Sequence, residues 1–122
     1  MLRRFEPLSV RVLVLDQNPL MRQMLEKRAR RREGVLLETF EEASELLDRA
    51  HALAFDIDLV VCARELPDTL AQALEQHEVP LLLIVDRLSS VLGQRDGVDQ
   101  RERPVSMDEI IQSARTNRER SS

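Results

Sequence analysis

"DIDLVVCARELPD", residues 56–68, is the stretch that decides the fold. Leu59, Val60, Val61 and Cys62 make a continuous apolar run, too short for a buried helix and closed by a turn at Leu66 and Pro67. A run of this kind is a strand covered on both faces, as at the centre of a parallel sheet. In such sheets chemistry gathers just past the carboxyl ends of the strands. Here that end is Cys62–Ala63, a small thiol followed by a methyl group.

Working outward, "VPLLLIV" (79–85) is a second strand of the same buried type, and "VRVLVLD" (10–16) and "VLLETF" (35–40) are two more short strands. Helices fill the intervals. After "QN", Pro19 suits a first helical turn and Gly34 a C-terminal cap, with Leu20, Met24, Leu25 and Ala29 as the buried stripe. A second helix is expected from about Glu41 to Ala54, with Ala43, Leu46, Leu47 and Ala50 inward, and a short third with Leu70, Ala73 and Leu74 inside. Beyond Asp86 the pattern weakens, and any strand in "VDQRER" must be polar and therefore at an edge. The last helix opens on a capping box, Ser106 and Glu109, and carries Ile110, Ile111 and Ala114 on one stripe, while "RTNRERSS" reads as a fraying tail. Strict alternation of strand and helix with short connections predicts an α/β, doubly wound parallel sheet. The domain spans residues 10–117, with an extension at 1–9 and a tail at 118–122.

Composition narrows the function. The chain has 122 residues, 18 basic and 22 acidic, so its charge of −4 gives no general attraction for nucleic acid or an anionic membrane. Three Phe and no Tyr or Trp leave almost no platform for stacking bases. A single cysteine, Cys62, cannot form an internal disulfide and fits a reducing cytoplasm; inside an apolar run it reads as a small core residue. His51 and His77, isolated in sequence, read as surface residues. The start "MLRRFEPLSV" lacks the apolar core of a signal peptide.

Four segments in order resemble the receiver domain of bacterial two-component response regulators over most of residues 10–117: "VLVLDQNPLMR", "DLVVCARELPD", "VPLLLIVD" and "DQRERPV". The resemblance implies a flavodoxin-like, five-stranded parallel sheet of order 2-1-3-4-5, with third and fourth helices shorter here than is usual. It also implies a phosphorylation site of two acids, an acceptor Asp, a hydroxyl and a Lys, with Mg²⁺ held by the acids through oxygen. Those positions fall on Asp16, Gln17, Ala63, Val85 and Arg103, of which Asp16 alone matches. The chain thus looks like a pseudo-receiver that binds no metal or cofactor, is not an enzyme, and signals or scaffolds through contacts with a kinase, an output domain or a second copy of itself as a homodimer.

Asp58, five residues before Ala63, lies roughly 16 Å from the strand tip, at the wrong end to replace the acceptor. Glu65 and Asp86, with Asp16 and Asn18, are what remains for a rearranged acidic site. Asp16 is expected to be a structural acid, bound by backbone amides or by Arg103, whose fork is expected to fill the space above Ala63. Lys27, Arg28, Arg30, Arg31 and Arg32 cluster at the end of the first helix. They suit a solvated helix C-terminus; the alternative is a docking patch for an acidic protein or an anionic ligand such as a cyclic dinucleotide.

Overall fold

The structure is a computed structural model that describes residues 9–63, 66–85, 98–102 and 105–121, with backbone only at 85, 98–102, 120 and 121. Its elements are β1 (Val10–Leu15), α1 (Pro19–Arg30), β2 (Val35–Phe40), α2 (Ala43–Ala52), β3 (Leu59–Cys62), α3 (Asp68–Gln76), β4 (Leu81–Val85), β5 (Val98–Glu102) and α4 (Met107–Ser121). All neighbouring strands pair in parallel, in the order β2-β1-β3-β4-β5. The expected α/β architecture with β1 and β3 at its centre is therefore present. The third helix is short, at nine residues. The expected fourth-helix region, 86–97, lies outside the described residues.

Alternation along the strands builds two cores. Val10, Val12, Val14, Leu59, Val61 and Leu82 face α1 and α4, meeting Leu25, Ala29, Ile110, Ile111 and Ala114. Leu13, Leu15, Val60, Cys62, Leu81 and Leu83 face α2 and α3, meeting Leu46, Ala50, Leu70 and Leu74. Strands β1 and β3 are buried because both faces are covered, which is why their sequences are apolar apart from Arg11, half-buried near the start of β1.

Local sequence explains the helix ends. Asn18 caps α1, its Oδ1 accepting from the backbone N–H of Leu20 at 3.0 Å and of Met21 at 3.5 Å, with Pro19 in the first turn. The capping box of α4 forms: Glu109 N–H donates to Ser106 Oγ at 3.2 Å, and Ser106 N–H donates back to Glu109 Oε1 at 3.4 Å. Helix α2 stops at Ala52 because Ala54 and Phe55 take positive φ, 52° and 56°.

Several expectations need correction. Leu20 is 73% exposed rather than part of the buried stripe, because the first turn of α1 stands beyond the end of β1 and no described residue covers it. Gly34 does not cap α1; Arg31 does, and Gly34, at φ 74°, instead makes the turn into β2 and accepts from Val10 N–H at 2.7 Å. The segment read as a fraying tail stays helical to Ser121. Asn117 Nδ2 donates to the Asp58 carbonyl at 3.1 Å and Arg118 lies 3.7 Å from the Asp58 carboxylate, so these residues belong to the fold. Asp58, 7% exposed, also accepts from Arg11 N–H at 2.8 Å, which ties α4 to the amino edge of the sheet.

Candidate functional site

The carboxyl ends of β1 and β3 lie side by side. Leu15 is in register with Cys62, Ala63 N–H donates to the Leu15 carbonyl at 3.0 Å, and Asp16 N–H donates to the Phe40 carbonyl at 3.0 Å. The sheet therefore places Asp16 and Ala63 next to one another. Ala63 is half-buried and offers a methyl; Cys62 beside it is fully buried in the α2–α3 core.

Asp16 is 6% exposed and its geometry is that of a turn former. Its Oδ1 accepts from Asn18 N–H at 2.9 Å, and Arg22 Nη1 donates to its carbonyl at 2.8 Å. A linked series results: Asp16 holds the turn, Asn18 at its end caps α1, and the first turn of the helix reaches back through Arg22. Gln17, between the two, is exposed and uncharged.

A resident Mg²⁺ wants several oxygens in an octahedral shell, including one or two carboxylates. The described residues do not fit it: one oxygen of Asp16 is committed to a backbone amide, Gln17 is a neutral amide, and the side chain of Ala63 brings no donor. Among the described residues no group of three or more His, Cys, Asp or Glu side chains is placed to hold a metal ion. Arg103, Glu65 and Asp86 lie outside the described residues, as does the side chain of Val85. The expected filling of the space above Ala63 by Arg103 falls there too.

The basic cluster is at the other end of α1, about 18 Å from its start. Lys27, Arg28, Arg30, Arg31 and Arg32 are all exposed. Arg32 meets Asp108 of α4 at 2.6 Å, an exposed pair that contributes little. Fold and sequence thus give two separate candidate surfaces, and the structure does not bring them together.

One constellation escaped the sequence reading. Phe55 stacks on His77 with ring centroids 3.7 Å apart and meets His51 edge-on at 4.9 Å. Both histidines are exposed, as expected, but they are not isolated, because α2 and α3 end at the same edge of the sheet. The available signal was that each histidine sits in the last turn or just past the end of its helix.

No helix among the described residues is long and apolar enough to cross a membrane. No protein-family model matches the chain, and no curated protein sequence matches it. Solved structures do. The chain is similar to a response regulator receiver domain protein from Clostridium thermocellum, at 15% identity and a TM-score of 0.71, covering 92% of this chain and 96% of that one. It is similar to the chemotaxis protein CheY4 of Vibrio cholerae at 17% identity and 0.68, covering 88% and 98%. It is similar to the signal receiver domain of the putative response regulator NarL from Mycobacterium tuberculosis at 19% and 0.68, covering 91% and 97%. Identities this low speak for architecture alone, and on architecture the chain has the fold of response regulator receiver domains.

Proposed function

We propose that this chain is a cytoplasmic signalling or scaffolding module of two-component type that acts through protein contacts and accepts no phosphoryl group. The observation that carries the reading is the methyl of Ala63 at the tip of β3, beside a buried Asp16 already engaged by Asn18 N–H. Aspartyl phosphorylation needs a carboxylate oxygen to attack phosphorus and a divalent cation to carry the charge of the transferring group. A methyl supplies no lone pair, and one carboxylate bound to a backbone amide is a poor start for a cation site. On this reading the domain is not an enzyme. Its partners are a histidine kinase, an output domain or a second copy, met on surfaces that a phosphoryl group does not control.

The test is incubation with acetyl phosphate and Mg²⁺ followed by intact mass, and titration with beryllofluoride and Mg²⁺ followed by amide chemical shifts. The expected result is no mass gain and no shift at Asp16 or Ala63. A phospho-adduct on any carboxylate, Glu65 and Asp86 included, refutes the proposal in favour of a rearranged acidic site.

A second reading has one observation behind it, the exposed cations at the end of α1. It makes the domain a sensor of an anionic ligand such as a cyclic dinucleotide. Saturable binding lost on Arg30, Arg31 and Arg32→Ala would favour it.

A further inference from the structure

Strand β2 is an outer strand, and among the described residues no strand pairs with its free edge. The hydrogen bonds from Val10 N–H to Gly34 and from Asp16 N–H to Phe40 bracket its ladder with β1. The alternation of a parallel ladder turns the backbone of Leu36, Glu38 and Phe40 toward β1 and that of Val35, Leu37 and Thr39 outward. Edge strands are usually blunted by Lys, Pro or an unpaired charge. "VLLETF" has no Lys or Pro, and its single charge, Glu38, is neutralised by Arg49, whose Nε lies 3.0 Å from both carboxylate oxygens. Leu36 is 44% exposed. Beside the edge, a groove of about 360 Å³ runs between α1 and β2, with Glu26 and Arg30 on its wall and Leu37 on its floor.

We propose that this edge binds β2 of a second copy, antiparallel about a two-fold axis through Leu37, so that two sheets become one. The axis sets Leu37 against itself and Val35 against Thr39 of the second copy, each pair exchanging both backbone hydrogen bonds. Charge selects a second copy over an unrelated strand. Glu26 accepts from Thr39 Oγ1 at 2.5 Å and so stands at the level of Thr39, while Arg30, one turn further along α1, lines the groove toward Val35. The axis exchanges those two levels. Glu26 then faces Arg30 of the second copy and Arg30 faces its Glu26, the self-complementarity that a two-fold interface requires. Arg30 has no acidic partner among the described residues of its own chain. On the opposite face Leu36 meets Glu38 of the second copy and is covered by the stem of the Arg49 that holds it. None of this depends on whether the domain accepts a phosphoryl group.

The test is sedimentation of the full chain from micromolar to near-millimolar concentration, with hydrogen exchange read alongside. A dimer is expected, with the amides of Leu37 and Thr39 gaining protection as concentration rises. Arg30→Glu, on an exposed position that leaves the fold intact, sets like charges together twice and should weaken the dimer by roughly tenfold or more. Adding Glu26→Arg to it should restore the dimer. Val35→Pro, which removes an outward N–H and no bond to β1, should dissociate it. A monomer throughout the range overturns the proposal. So does a dimer indifferent to Arg30→Glu and Val35→Pro, or one that the double exchange fails to restore.

Discussion

Placing an acid back at the tip of β3 is the most direct probe of the Asp16–Ala63 adjacency. In Ala63→Asp, two carboxylates would stand on neighbouring strands about 5 Å apart, one of them on a residue that is 6% exposed. At an effective dielectric constant of ~20 the repulsion is about 3 kcal/mol, and since Ala63 is only half-buried a net loss of about 2 kcal/mol is expected at neutral pH. The sign with pH follows from linkage. The added carboxyl holds its proton more tightly in the folded chain than in the unfolded one, so stability falls as pH rises through its titration. The penalty should vanish in acid, below the ordinary carboxylate range, and be complete at neutrality. Mg²⁺ should reverse it: at ten times the dissociation constant a bound cation returns about 1.4 kcal/mol. For a domain of this size the two effects amount to melting shifts of roughly 8 °C down and 5 °C back up. Thermal unfolding of both proteins, with and without Mg²⁺ and across pH, reads all of this. A variant as stable as the parent, or indifferent to Mg²⁺, would show that the two positions do not share a site. A parent stabilised by Mg²⁺ as much as the variant would show that the site already holds a cation.

Other perturbations test the supports of the fold. Asp58→Ala leaves the Arg11 N–H without its acceptor and removes the partner of Arg118; it should cost about 2–4 kcal/mol in denaturant unfolding and free the last turn of α4 to exchange. Ser106→Ala breaks the capping box and should cost about 1 kcal/mol, with loss of helical signal confined to α4. Glu78→Gly relieves a non-glycine residue at φ 54° and should raise stability by roughly 0.5–1 kcal/mol in the same assay, the gain from αL strain exceeding the entropy added to the unfolded chain.

How far the sequence reached depended on the range of the forces involved. Strands β1, β3 and β4 were legible because burial on two faces keeps their runs apolar, with Arg11 of β1 the one polar position. The cap of α4 was legible because its partners are three residues apart. Leu20 failed because helical spacing specifies a stripe but not whether anything lies above its first turn. The end of α4 failed because its polar composition suggests fraying, while the Asp58 carbonyl that holds Asn117 is 59 residues away in the chain. The Phe55 stack failed for the same reason, since it depends on where two helices end in space rather than on either helix alone.

The candidate site shows the same division. That Ala63 lies beside Asp16 follows from parallel pairing of two recognisable strands, so the residue types at the two tips could be read together once the register was known. What the surviving acid does could not be read so simply, because a buried carboxylate serves equally as metal ligand or as turn former. In the structure one oxygen of Asp16 takes the turn-forming role. The Oδ1 of Asp16 turns along the chain to Asn18 N–H, and Asn18 in turn closes the first turn of α1. On the reading proposed above, the carboxylate is kept for the helix it starts, and Ala63 beside it brings no side-chain oxygen.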